Sequence, residues 1–527
     1  MLLLLLLFHY VVCVTTYKIL VFSPTISRSH MISNGRIADE LAKAGHDVVL
    51  FEPDFLNISA AVMSSKIARR WTVYGFAPAL RNVLQGFSET AFEQFSLLEE
   101  HRGLLLYSRA YNELCEDLIN RDELIDALRA EKFDGYFGEQ INLCGNGLAH
   151  VLGIKSHFWV SSCPIGDHMA WILGMPQPSS FIPSLIAMDI THRPSYIERV
   201  QNVWATFLYV VFGKIYSGET TAVFRRKFGP NFPSLEDIAA DSDMVFVSTD
   251  EFIEFPRPSL PNIVHIGGLG LGTSKETSPL NKVFAEQMEM GANGVIYFSL
   301  GTLVNTSSLP AFAMEAVIET ARRTPDHHFI LVADRHDQHT RQLAEHLKNV
   351  FVCSWAPQPA ILGHSRLRTF ITHGGYNSIM EASRFSVPLI TIPFWFDQIR
   401  NSHAVELNGW GISVNRFSLR NNPDTLRKAV HEILSNSRYR TAAERISKLI
   451  RTKPFNASDR LIKYTEFVLA NNGMKELLTE GRRLSLIHYY NLDILVPFVL
   501  IFIFLCWICF RLVTAIICAV PRKQKQQ

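Results

Sequence analysis

Phe370-Ile-Thr-His373-Gly-Gly375-Tyr-Asn377-Ser378-Ile-Met-Glu381, followed by Pro393-Phe-Trp-Phe-Asp397-Gln398, is the stretch on which the reading of this chain turns. An apolar run ends at His373, two glycines strip away side-chain bulk, and helical spacing begins at once. At such a junction backbone N–H groups point at the helix entrance, where the helix dipole favours an anion, so the segment can hold a diphosphate. A Gly-Gly at a strand end is equally an ordinary turn. Two further polar clusters, Ser299-Leu-Gly-Thr302 and Ser354-Trp355-Ala356-Pro-Gln358, also follow apolar runs upstream.

Around this stretch, short apolar runs predict strands at residues 295–299, 329–333, 351–353, 369–372 and 389–392, with helices between them. The first half has the same rhythm: a strand at 17–23, helical spacing over 32–43, a stop at Gly45, a strand at 47–51, and strands near 135–137, 155–160 and 244–248. Between the halves lie the Pro-rich Phe255-Pro-Arg-Pro-Ser-Leu-Pro261 and the glycines of 267–272, a breaker-rich joint and hinge. The expected fold is α/β, with two facing Rossmann-like domains at 17–260 and 261–440. Helices over 441–490 are expected to pack back across them. Facing sheets of this kind bind ligands at their carboxyl ends.

The 527 residues exceed what one ordinary core supports, which agrees with two domains. Lys plus Arg number 51 against 49 Asp plus Glu, so no large field recruits nucleic acid. Residues 1–16 have the apolar run of a secretory signal peptide. Residues 491–520 are apolar enough for a transmembrane helix, with Arg511 placed to snorkel and a basic tail at 521–527 expected in the cytosol. The expectation is therefore a single-pass type I protein of the endoplasmic reticulum membrane. The tail lysines Lys523 and Lys525 have the spacing of a dilysine retrieval signal. Asn57, Asn305 and Asn456 head glycosylation sequons. Cys506-x-x-Cys509, inside the membrane segment, reads as apolar filler.

Taken together, the block from Trp355 to Gln398, the Ser299-Leu-Gly-Thr302 turn and the two ends resemble the UDP-glycosyltransferase family, including the vertebrate UDP-glucuronosyltransferases, over nearly the whole chain. The resemblance implies a GT-B fold with the nucleotide sugar in the second domain and the acceptor in the first. By that resemblance Trp355 stacks on uracil, Ala356 and Gln358 line the nucleoside, and Glu381 accepts the ribose hydroxyls. Ser299, Thr302, His373, Gly375, Asn377 and Ser378 surround the phosphates, and Asp397 with Gln398 holds the sugar. A flat aromatic suits a base and a carboxylate suits a diol.

On the acceptor side the family's catalytic base corresponds to His30, and its acidic partner to Glu139, where vertebrate members carry an aspartate. Asp134 is the weaker alternative partner. The implied reaction is inverting transfer of glucose or glucuronate from a UDP-sugar to a hydroxyl of a small lipophilic acceptor. It needs no metal and no cofactor, the UDP-sugar being a co-substrate. Arg257 is either a contact for a donor carboxylate or a solvent-exposed linker charge. Residues 158–186, rich in aromatics and prolines, are either an apolar acceptor surface or ordinary core. Homo-oligomerisation stays open. The competing reading is a catalytically inactive, membrane-anchored binding or oligomerisation partner. A nicotinamide enzyme is excluded, because no Gly-x-Gly-x-x-Gly follows the first strand.

Overall fold

Strands whose side chains are apolar on both faces need cover on both, and only parallel sheets between helix layers supply it. The computed structural model describes residues 16–186, 189–271, 279–302, 304–422 and 424–519. The first sheet contains β1 (Lys18–Phe22), β2 (Asp47–Pro53), β3 (Arg69–Val73), β4 (Gly135–Glu139), β5 (Ser156–Ser161), β6 (Met244–Val247) and β7 (Ile263–His265). Its order is β3-β2-β1-β4-β5-β6-β7. The second contains β8 (Val295–Ser299), β9 (His328–Val332), β10 (Val350–Cys353), β11 (Leu367–Thr372), β12 (Leu389–Thr391) and β13 (Gly411–Ser413), in the order β10-β9-β8-β11-β12-β13. Every pairing is parallel.

Both orders reverse once, between β1 and β4 in the first sheet and between β8 and β11 in the second. Reversal sends the flanking loops to opposite faces and opens a crevice at the strands' carboxyl ends. His30 and Glu139 lie at the first reversal, in the helix after β1 and at the end of β4. Ser299 and His373 lie at the second, at the end of β8 and just past β11.

The strands absent from the sequence expectation, β3, β7 and β13, are all sheet edges. β3 reads Arg-Arg-Trp-Thr-Val and is at most half-buried, so it lacks the apolar run that marks a central strand. β7 pairs with β6, so the first sheet reaches past residue 260. Beyond the second sheet, helix Ala457–Ala470 returns to the first domain, burying Leu461, Val468 and Leu469 among Ile19, Val21 and Ile37. Helix Leu492–Ala519 then runs free, long and apolar enough to cross a membrane. A disulfide joins Cys115 to Cys144. Residues 1–15, with most of the expected signal segment, and the tail after 519, with Lys523 and Lys525, lie outside the described residues.

Helix Arg28–Lys43 is pressed so closely onto the chain beneath it that a Cβ on Gly35 would sit 1.7 Å from the Ser64 carbonyl oxygen. Since the obstacle is backbone, Gly35→Ala should cost about 1–3 kcal/mol, as overpacked cores do, and lower the thermal unfolding midpoint of the solubilised protein.

Candidate active site

The first domain contributes a histidine and a carboxylate whose placement follows from two strand ends. Helix Arg28–Lys43 starts on Ser27, whose hydroxyl accepts the His30 N–H at 3.2 Å and fixes the first turn. From that turn the His30 Nδ1 meets both oxygens of Glu139, at 3.0 and 3.1 Å. The extra methylene of glutamate therefore does not break the pair. Ser162, just past β5, donates to Glu139 Oε2 at 2.8 Å and lies 2.8 Å from His30 Nδ1. With Nδ1 turned to the carboxylate, Nε2 is the ring nitrogen chemically able to accept a proton. Asp134 is at the other end of β4, where its carboxylate accepts the Lys18 N–H at 2.7 Å, so it does not partner His30.

Burial works against the charged ring of His30, yet the charge and hydrogen bond of Glu139, with the Asp397 carboxylate behind them, raise its pKa above the ordinary value. Asp397 belongs to the other domain, and burial raises its own pKa although Asn401 donates to Oδ2 at 2.7 Å and His30 favours its charge. The residue before it, Phe396, has φ +54° and ψ −132°. Such a backbone costs about 1–3 kcal/mol and sets the angle at which helix Asp397–Leu407 enters the crevice.

The second domain gathers most of the predicted nucleotide residues around helix Tyr376–Arg384. Gln358 donates to Glu381 Oε2 at 2.8 Å and to Ser378 at 3.4 Å, and its carbonyl accepts Tyr297 at 3.3 Å. Trp355 precedes it and is 68% exposed, an unusual state for an indole that leaves its face available. Ala356 is buried beneath. His373 is walled by backbone: a Cβ on Gly375 would come within 2.4 Å of its Nε2. Burial lowers the His373 pKa to about 4, so the ring is neutral at physiological pH. Ser299 is buried, Thr302 exposed and Asn377 half-buried around the same helix entrance.

Some expected roles look different in place. Gln398 is buried and its carbonyl accepts the N–H groups of Phe394 at 2.9 Å and Trp395 at 3.3 Å, so it holds the turn ahead of Asp397. Arg257 is not a solvent-exposed linker charge: it donates to the Ile165 carbonyl at 3.2 Å and to Gln177, and burial together with Arg400 lowers its pKa to about 10. In the 158–186 stretch Trp159 is core, whereas Phe181 is exposed. Asn57, Asn305 and Asn456 are all exposed, and the last two cap helices with their side chains.

Sequence reasoning missed Ser162 and Arg36. Arg36 reaches from helix Arg28–Lys43 across the crevice to Glu381 at 3.4 Å, so one helix carries both His30 and a contact to the second domain. Ser162 was findable, since it follows the strand next to the one that ends in Glu139.

The sequence matches the family described as UDP-glucoronosyl and UDP-glucosyl transferase over residues 17–526. The protein ugt-47 of Caenorhabditis elegans, which carries a UDP-glucuronosyltransferase name, is 46% identical over 94% of this chain and 92% of its own length. UDP-glucuronosyltransferase 1A3 of Rattus norvegicus is 27% identical over 91% of this chain and 87% of its own. Among solved structures, the glycotransferase of kitacinnamycin superposes with a TM-score of 0.57 at 20% identity, covering 86% of this chain and 98% of that one. A variant of Os79 from O. sativa in complex with UDP gives 0.57 at 17%, covering 86% and 100%. The shared architecture is GT-B.

Since Glu139 supplies the opposing charge, Glu139→Gln should return the His30 pKa toward or below its ordinary value. The raised pKa stabilises the fold at low pH, and that contribution is lost as pH rises through it. The pH dependence of His30 acylation by diethyl pyrocarbonate should therefore shift to lower pH in the variant.

Proposed function

The chain belongs to the UDP-glucuronosyltransferase family and is a UDP-glycosyltransferase, and from that premise we propose that it transfers glucose or glucuronate, with inversion, to a hydroxyl of a small lipophilic acceptor, with His30 as the base. The observation that carries the proposal is the His30–Glu139–Ser162 cluster of one domain standing opposite Asp397 of the other. An acceptor hydroxyl gives its proton to His30 Nε2 while its oxygen attacks the anomeric carbon. The bond from that carbon to the diphosphate breaks, and UDP leaves. Glu139 stabilises the imidazolium that forms.

On the donor side the uracil lies on the exposed face of Trp355 and the ribose hydroxyls on Glu381. Charge growing on the departing diphosphate meets the free N–H groups at the start of helix Tyr376–Arg384, where neutral His373 adds a hydrogen bond. Asp397, poised by its strained neighbour, accepts from the sugar hydroxyls. The UDP-sugar is a co-substrate, and the reading assigns no resident cofactor. The Cys115–Cys144 disulfide and the exposed sequons support placing both domains in the lumen, with the apolar helix as anchor.

In microsomes given UDP-glucose or UDP-glucuronate and a mixed panel of phenols, steroids and flavonoids, the wild type should turn over one donor. His30→Ala should reduce kcat by about 10²–10⁴-fold with little change in UDP binding. Trp355→Ala should instead weaken UDP binding by about 1–3 kcal/mol, the worth of one base stack, read by calorimetry. Turnover by His30→Ala at the wild-type rate would remove the base assignment.

A further inference from the structure

Helix Tyr196–Phe228 is 33 residues long, about 50 Å at 1.5 Å per residue, and has an apolar face that is left exposed among the described residues. Tyr196, Val200, Val203, Trp204, Phe207 and Val211 are all exposed, Tyr196 by 70% and Trp204 by 54%. At 100° per residue these six fall within an arc of about 100°. The opposite side, with Asn202, Ala205 and Leu208, is buried against the first domain. Lys214 is the one charged residue of residues 196–215 in that arc, and its ammonium turns back over the Trp171 ring at 5.2 Å. A continuous exposed stripe of this kind is uncommon on a surface that meets only water.

The chain's own route to its anchor indicates what covers the stripe. Tyr489 lies against Trp171, with ring centroids 6.0 Å apart, and donates to the Gly174 carbonyl at 3.2 Å. Tyr489 and Tyr490 share a small cavity with Thr206 and Val210, which lie on the helix beside Val203 and Phe207. Two residues beyond Tyr490 the apolar helix Leu492–Ala519 begins. The margin of the stripe therefore borders the segment that leads directly into the apolar helix.

We propose that helix Tyr196–Phe228 lies in the bilayer interface, its apolar stripe immersed beside the anchor, so that the first domain rests on the membrane through a second contact. The geometry is that of an interfacial amphipathic helix, which buries its apolar face to a depth of about 5–10 Å at the acyl boundary. Leu486 and Ile487, just ahead of the anchor, are exposed as well. The occupant is the lipid of the protein's own membrane, because the anchor delivers the stripe to that surface at fixed distance.

The test uses the full chain in nanodiscs of phosphatidylcholine doped with a diazirine-bearing phosphatidylcholine. After irradiation, mass spectrometry should find lipid adducts on peptides covering 196–211 as well as 492–519, and none on exposed apolar residues elsewhere such as Met63 and Ile67. In the double variant W204E/F207E the adducts on 196–211 should be lost and those on 492–519 retained. Adducts confined to 492–519 in the wild type would overturn the proposal without reference to any variant. So would zero-length cross-links joining Trp204 regions of two copies in place of lipid adducts, which would make the stripe a contact between copies.

Discussion

Arg400 and Glu254 form an ion pair that is almost fully buried between the domains and fastens one to the other. Arg400 also donates to the Pro183 carbonyl at 3.2 Å and lies over the Phe255 ring at 5.1 Å. Removing two charges from water is expensive, and a buried pair of this kind contributes more to register than to stability. Both ions are satisfied in this relative placement of the domains. That placement brings helix Asp397–Leu407, which carries Arg400, into the crevice with Asp397 toward His30. Around it the Tyr376 hydroxyl accepts the Asp250 N–H at 2.8 Å, and His403 pairs with Asp189 at 2.5 Å.

The same geometry explains why the polar groups of the site tolerate their surroundings. Glu139, Ser299 and His373 lie at strand ends beside a reversal of sheet order, whereas Glu381 is inside helix Tyr376–Arg384 and Asp397 opens the helix that follows β12. His30 is held by Glu139, Glu381 by Gln358 and Arg36, and Asp397 by Asn401. His373 is kept neutral by burial. His30, Glu381 and Asp397 therefore each keep a polar partner, and the Arg36–Glu381 contact spans the crevice.

The central strands were legible because burial on both faces leaves an unbroken apolar run, as in Val295–Ser299 and Leu389–Thr391. Of the four edge strands β10 was legible and β3, β7 and β13 were not, because one neighbour suffices for an edge and polar residues such as Arg69 and Arg70 are tolerated. In the site, spacing along the chain revealed groups that share a segment, such as Trp355 with Gln358. It could not reveal Arg36 beside Glu381 or Ser162 beside His30, whose separations of 345 and 132 residues are closed only by the fold. Nor could it separate Glu139 from Asp134, which stand at opposite ends of one short strand.

The path from the last helices to the anchor is fastened to one domain alone. Arg482 and Arg483 pair with Asp237 and Asp241, Asp243 accepts the Met474 N–H at 2.9 Å, and Tyr489 reaches Gly174. All of these partners belong to the first domain. Tethered in this way, the first domain is the stator of the molecule and the second its rotor. Any opening of the crevice must swing the second domain, while the first keeps a constant distance from the start of the apolar helix.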